Sequence, residues 1–423
     1  MLDLKFIREN PALVRDAIAK KGVDLDLDAL LALDRESNAT LTQIETLRAG
    51  KNRLSKEIPG AAAAERPALV AESRRIGAEI ELLEPQLKER RERLEELLLR
   101  VPGIPSPDAP VGLGPEANAV VRTAGTIPAI DDPLDHVELM TRNGWADFER
   151  PAKLGGSRAY LLRGEMVMVE FALFAHVLEK LVARGFVPME VLSLVREAAL
   201  VGTGHFPSGR DDVYYLPKDD LYLAGTAEVV LNGLHGGEIL NESDLPIRYA
   251  GHSPCFRREA GSFGKDIRGL LRVHQFRKIE QYVICRNDDA ESARWHAELL
   301  GIAEEVLHDL QLAYQVVECS TGDMGLGKFR MNDIETWIPS LGKYRETHSC
   351  STLHDWQARR TNLRYRNAGG DVVYAHTLNN TAIASPRILV ALVENHQTPD
   401  GRVRLPPVLA QRLGSEIIGA PVR

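Results

Sequence analysis

Phe256-Arg257-Arg258-Glu259, a loop of about fifteen residues, then His274-Gln275-Phe276-Arg277-Lys278-Ile279-Glu280: the reading of this chain turns on that stretch. Strand-like residues flank both halves, so the pair reads as a long β-hairpin. Alternation along a strand puts Arg257 and Glu259 on one face of the first strand. It puts Phe276, Lys278 and Glu280 on one face of the second. Phe276 and Glu280 then stand about 13 Å apart, room for an aromatic platform at one end and a carboxylate reading a small polar group at the other. Strand charges are more often a solvated face than a site, and the hairpin alone leaves both readings open.

Outward from the hairpin, residues 116 onward alternate short strand-like runs with helices unevenly. Leu161–Leu162, Met166–Phe171, Ile247–Ala250, Phe276–Cys285, Tyr314–Glu318, Ile334–Ile338 and Val372–Thr377 are strand candidates. A stretch ending near Leu181 and Glu291–Leu310 are helix candidates. Uneven interleaving points to an α+β fold with a mostly antiparallel sheet. Asn379-Asn380-Thr381-Ala382-Ile383-Ala384-Ser385-Pro386-Arg387 leads into an apolar helix, with Ser385 as N-cap and Pro386 at the first helical position. Arg387 falls in the first turn, where a phosphate would meet free backbone N–H groups; a salt-bridged Arg on a capped surface helix fits the same residues. Gly322-Asp323-Met324-Gly325-Leu326-Gly327-Lys328 lacks P-loop spacing and a following Ser or Thr, so it reads as a turn.

Upstream, residues 27–100 are nearly free of Gly and Pro except at Pro59-Gly60-Ala61-Ala62-Ala63-Ala64-Glu65-Arg66-Pro67. Ser37, Thr40, Ile44, Leu47, Lys51, Leu54 and Ile58 before that break follow a 3,4 spacing, as do Leu69, Ile76, Ile80, Leu83, Leu87, Leu94 and Leu97 after it. This is the seam of two helices, and the short spacer folds them into an antiparallel hairpin. Each helix, at 26–58 and 67–100, is about 50 Å long. Pro85 should bend or loosen the second, and the polar seam members should make the pair marginal. Segment 48–75 carries seven basic residues (Arg48, Lys51, Arg53, Lys56, Arg66, Arg74, Arg75) against Glu57, Glu65 and Glu72, a local charge of +4. A solvated coiled coil and a basic tip for phosphates both account for it. Residues 102–115, rich in Pro and Gly, read as a linker.

The whole chain has 423 residues and a net charge of −8, so two or three domains are expected, and a local basic patch rather than general coating of nucleic acid. Four cysteines without a C-x-x-C pair argue against a disulfide scaffold and suit the cytosol. The longest apolar run, Ile388–Val393, cannot span a bilayer. The first ten residues carry Asp3 and Glu9 and no apolar core, so no signal peptide is expected.

The F-R-x-E of 256–259, the strand with Phe276 and Glu280, and the late strand–helix with Arg387 resemble motifs 2 and 3 of class II aminoacyl-tRNA synthetases. Gly202-Thr203-Gly204-His205-Phe206-Pro207, Gly225-Thr226-Ala227-Glu228, Arg345-Glu346-Thr347-His348-Ser349-Cys350-Ser351, Thr377-Leu378-Asn379-Asn380-Thr381 and the helical hairpin narrow the resemblance to bacterial-type seryl-tRNA synthetases, over essentially the whole chain. The resemblance implies a class II antiparallel sheet flanked by helices behind a tRNA-binding coiled-coil domain (1–101), with a linker (102–115) and a catalytic domain (116–423). It implies adenylation of L-serine by ATP, transfer to serine tRNA, a homodimer, and cytoplasmic residence. Thr226, Ala227, Glu228, Glu280, Asn379 and Thr381 would form the serine pocket. Arg257, Arg258, Glu259, Val273, Phe276, Glu346, Thr347, His348, Ser349 and Arg387 would hold ATP. Arg257, Glu346 and Arg387 would carry the chemistry, with Mg²⁺ on Glu346 and Ser349 and no zinc. Arg48, Lys51, Arg53, Lys56, Arg74 and Arg75 would meet the tRNA variable arm.

Leu192 stands where the family's motif 1 proline falls, at the dimer interface. Two other readings remain: a paralogue that loads a carrier protein, which lacks the arm, and a non-catalytic tRNA-binding module, which predicts lost phosphate and metal ligands. A plain coiled-coil scaffold leaves the body unexplained.

Overall fold

The 3,4 spacing of residues 27–100 becomes two helices, Leu27–Glu57 and Arg66–Leu98, joined through the short Ile58–Gly60 turn. The computed structural model describes residues 1–260 and 269–420. Ile44, Leu54, Ile76, Ile80 and Leu87 bury the seam. Asp26 caps the first helix, its carboxylate accepting from the Ala29 N–H. Ser37 and Thr40 are buried, and each hydroxyl donates to a carbonyl one turn back, Leu33 at 2.7 Å and Glu36 at 2.9 Å. The polar seam members are thus satisfied within their own helix. Lys51 is exposed rather than in the seam. Its ammonium rests 3.0 Å from where a Cβ on Gly77 would stand, so the stem lies across the partner helix at a position without a side chain. The second helix continues past Pro85, which lies on its exposed side. These helices belong to a unit of residues 2–19 and 23–102; a second unit comprises residues 1, 20–22 and 103 onward.

The second unit is built on an eight-stranded sheet. Its strands run in the order Ala119–Ala124, Tyr314–Glu318, Arg330–Ile338, Lys343–His354, His376–Ala384, Gln275–Cys285, Ile247–Phe256, Val187–Glu190. Every pairing is antiparallel except the outermost, where Val187–Glu190 runs parallel to its neighbour. Helices Glu165–Ala183, Asp289–Asp309 and Ser385–Asn395 supply the main core under one face. The strand Gln275–Cys285 is buried on both sides. Ile279, Val283 and Cys285 enter that core, while Tyr282 and Ile284 enter a smaller cluster on the opposite face. Lys278 and Glu280 continue that opposite face, which is where the site lies.

Several sequence expectations are corrected. Met166–Phe171 is helical, part of Glu165–Ala183. Its buried residues Met166, Val169, Glu170, Leu173 and Val177 keep a 3,4 spacing that a nearly continuous apolar run conceals. Val372–Thr377 splits into Val372–Tyr374 and the central strand His376–Ala384, whose polar Asn379, Asn380 and Thr381 hid it. The twelve-residue strand Lys343–His354 was not anticipated for the same reason. The first hairpin strand stops at Phe256, so Arg257 and Glu259 are not placed by alternation. They sit in a turn where Arg257 N–H donates to His274 C=O at 2.9 Å, and Glu259 adopts φ 57°. The middle of the hairpin loop, residues 261–268, lies outside the described residues. Ser385 is the first helical residue and Ala384 the cap, one position earlier than expected.

Candidate active site

The turn after Phe256, the return strand and the start of the last core helix meet over the central strands. Arg257, Glu259, Val273, Phe276, Glu346, Thr347, Thr381 and Arg387 line one cleft together with Arg272 and Lys278. Arg257 holds its guanidinium 5.3 Å over the Phe276 ring, and its Nε donates to Gly225 C=O at 3.3 Å. Arg387 donates to Leu271 C=O (3.2 Å), to Glu346 C=O (2.8 Å) and to the Glu346 carboxylate (3.0 Å). Two forked cations therefore bracket the aromatic face, a geometry suited to a nucleotide and its phosphates. Glu259 pairs with Arg272.

Below the aromatic face is a buried polar floor. Thr381 and Glu280 are opposite each other on paired strands, beside a register shift at Ile279/Glu280. Lys278 forms an ion pair with Glu280 and donates to the Thr226 hydroxyl at 2.7 Å. Glu228 accepts from the Asn379 amide at 2.9 Å and the Gln357 amide at 2.7 Å. Burial pushes the Glu280 carboxyl up, Lys278 pulls it down, and Glu228 adds to the upward push; the net is upward. The Glu228 N–H donates to the Thr226 hydroxyl at 3.2 Å, so four sequence-predicted residues (Thr226, Glu228, Glu280, Asn379) form one network. Ala227 is near them in sequence, but its methyl packs into the smaller hydrophobic cluster.

Glu346 opens on the same cleft. Burial raises its carboxyl, but the Arg387 charge and hydrogen bond, with Arg257 and Lys328, outweigh burial and hold it below the usual carboxylate range. Ser349 lies across the strand pair from Asp333. Burial and the Glu346 charge push Asp333 upward, and its Oδ1 is buried with no hydrogen-bond partner. Two carboxylates and a hydroxyl, one oxygen unmatched, make a donor set that fits a hard divalent cation. His348 points elsewhere: it is buried, Nδ1 is 2.9 Å from the Thr347 hydroxyl, and burial pushes it down to about 4. Arg258 is exposed, outside the lining residues, and its N–H is tied to Asp212 C=O at 2.8 Å.

Arg272, Lys278 and Asp333 were not assigned from the sequence. Lys278 was visible on the right face. Arg272 ends the hairpin loop, where only the fold returns it to Glu259. Asp333 gains meaning from Ser349 across an unanticipated strand.

In the helical unit, Arg48 pairs with Glu84 at 2.6 Å, Arg53 with Glu57 at 3.8 Å, and Arg75 with Glu72 and Glu79 at 2.8 and 3.1 Å. Two of these carboxylates, Glu79 and Glu84, lie outside the 48–75 window, so the local excess of +4 is partly offset across and along the seam. Lys51, Lys56 and Arg74 are exposed.

Residues 215–396 match the tRNA synthetase class II core domain (G, H, P, S and T), and residues 1–105 match the Seryl-tRNA synthetase N-terminal domain. A serine–tRNA ligase of Deinococcus radiodurans is 53% identical over 425 residues, covering 100% of both chains. The structure of seryl-tRNA synthetase from Pyrococcus horikoshii complexed with ATP superposes with a TM-score of 0.92 at 40% identity, covering 100% of both chains. Cytoplasmic serine–tRNA ligase from Naegleria fowleri in complex with AMP gives 0.87 at 30% identity over 99% of each chain. With relatives matching from end to end, the chain belongs to the seryl-tRNA synthetase family.

Proposed function

We propose that the Arg257–Glu346–Arg387 cleft is where this enzyme condenses L-serine with ATP and then transfers the seryl group to the 3′ end of serine tRNA. In the first step the serine carboxylate attacks the α-phosphorus and pyrophosphate leaves. In the second, the 3′-terminal hydroxyl attacks the seryl carbonyl and AMP leaves. Neither step needs a strong acid or base; both need aligned reactants and fixed positive charge. Arg257 clamps the α-phosphate, Phe276 and Val273 carry the adenine, and Arg387 holds the γ-phosphate. Glu259 reads the adenine edge, with Arg272 keeping its carboxylate in place. Thr347 and Ser349 flank the phosphates. Thr226 and Glu228 take the serine ammonium, Glu280 accepts from its hydroxyl, and Asn379 and Thr381 limit the pocket. Glu346 and Ser349, with Asp333 behind them, would hold Mg²⁺, which supplies charge neutralisation at the phosphates; the reading uses no zinc.

The observation that carries this is the pairing of Glu280 with Thr381 at the floor of a cleft bracketed by two arginines. Pyrophosphate exchange with serine, alanine and threonine tests it. Serine alone should support exchange. Equal exchange with alanine would remove Glu280 from its role.

Around that centre, residues 1–101 form the tRNA-binding domain, 102–115 the connection and 116–423 the catalytic domain. Lys51, Lys56 and Arg74, with Arg48, Arg53 and Arg75, grip the backbone of the long variable arm by shape and charge. The enzyme is a cytoplasmic homodimer. Met168 and Phe171 on the Glu165–Ala183 helix, and Val187, Leu192 and Leu194 on and after the outermost strand, are large apolar side chains left in solvent, a face of the kind that a second copy covers. Among the described residues no helix is long and apolar enough to cross a membrane.

A further inference from the structure

We infer that Lys21 is a positioning residue for the adenylation cleft, acting through Lys328; the inference rests on the reading of that cleft given above. The Lys21 side chain is 7% exposed. Its ammonium donates to the carbonyls of Gly325 and Leu326, both at 3.1 Å, and of Lys328 at 2.6 Å. All three donors are thus spent on one turn, and the partners are carbonyls rather than a carboxylate. Burying a cation this way is costly, and it ties three carbonyls of one turn to a single point.

The same turn is held from two further sides. Gly103 N–H donates to Leu326 C=O at 2.9 Å and Ser106 N–H to Phe329 C=O at 2.7 Å. The Trp356 ring packs on Gly327 so closely that a Cβ there would come within 2.2 Å of it. What the clasp fixes is Lys328. Its ammonium lies 3.1 Å from the Met331 thioether, a weak acceptor that leaves donors to spare. Met331 and Asp333 share a face of the strand Arg330–Ile338, and Asp333 lies opposite Ser349. Lys328 is therefore a third fixed cation beside the carboxylates at the phosphate end, and its charge helps hold Glu346 ionised. A turn that looked chemically empty in sequence delivers a charge to the cleft, and Lys21 sets where that charge sits. Misplacing such a group by about 1 Å can cost up to ~100-fold in rate.

The test uses the full-length enzyme in serine-dependent pyrophosphate exchange, with Lys21→Met, Lys328→Met and the double variant, alongside thermal unfolding. Each single variant should lower kcat about ten-fold or more with the serine KM unchanged. The double variant should be no worse than Lys328→Met alone, the non-additivity of residues acting in series. Gly103→Ala places a Cβ 2.7 Å from Gly327 C=O and disturbs the turn from its other side; it should lower kcat in the same way, and it decides the matter if Lys21→Met does not fold. A lowered melting temperature with unchanged kcat, or a double variant whose losses multiply, overturns the proposal. Wild-type enzyme that failed to exchange with serine would instead overturn the reading of the cleft.

Discussion

Glu280 is a buried carboxylate that pairs with Lys278 and stands opposite Thr381 on the neighbouring strand, and under the proposed function it is the group that selects serine. Glu280→Gln keeps the shape but removes the charge-assisted hydrogen bond, worth ~1.5–3 kcal/mol. Discrimination between serine and alanine in pyrophosphate exchange should fall about 10–100-fold, mostly through the serine KM. Arg387 spends its fork on the Leu271 and Glu346 carbonyls and the Glu346 carboxylate; a lysine cannot reproduce that fork. Arg387→Lys should lower kcat by roughly 10²-fold or more with little change in melting temperature, and a near-normal kcat would sink its phosphate role. His296 belongs to stability. Its ring nitrogens meet the Thr352 hydroxyl at 2.9 Å and the Asn332 amide oxygen at 2.8 Å, and burial pushes it down to about 4. The unfolded chain takes up that proton near pH ~6.5. The site's contribution is therefore intact above ~6.5 and lost as pH falls toward about 4, by up to ~3 kcal/mol. Melting temperatures measured between pH 7 and 4.5 should fall, and His296→Gln should flatten that slope.

At the scale of elements, the helical arm and the catalytic hairpin were read with different success. The arm's seam follows from 3,4 spacing, because a two-helix pair buries one stripe and no distant element edits it. What spacing could not show is which cations are already paired. Arg48, Arg53 and Arg75 have carboxylate partners, so exposed Lys51, Lys56 and Arg74 carry more of the unspent charge. Neutralising Arg53, Lys56, Arg74 and Arg75 together should weaken tRNA binding and flatten its dependence on salt. Pyrophosphate exchange should be unchanged; its collapse would mean that the arm and the chemistry are not separable. The seam itself can be probed with Ile80→Ala, expected to cost ~2–4 kcal/mol in denaturant unfolding of the helices. The hairpin strands were found, but their ends were not. Arg257 and Glu259 lie past the strand in a turn set by backbone bonds to His274 and Asp212, contacts of a kind that alternation does not encode.

On the scale of the whole molecule, the proposed dimer would cover the exposed apolar side chains around Phe171. Phe171→Asp should shift the protein from dimer to monomer in light scattering, and an unchanged mass would remove that face from the interface. The chain's own sequence determined the class of fold, the helical arm, the two arginines, and the carboxylate proposed to read the substrate. Those features are carried by local periodicity and by motifs whose spacing survives in one dimension. The tertiary structure alone decided that Lys343–His354 and His376–Ala384 are the central strands. Their polar residues are buried in pairs across the sheet, so neither strand shows an apolar pattern of its own. It also decided that Arg272 returns to Glu259, that Asp333 faces Ser349, and that Lys21 reaches a turn some three hundred residues away. Each of those is a partnership between distant segments, and a buried charge takes its meaning from the partner the fold brings to it.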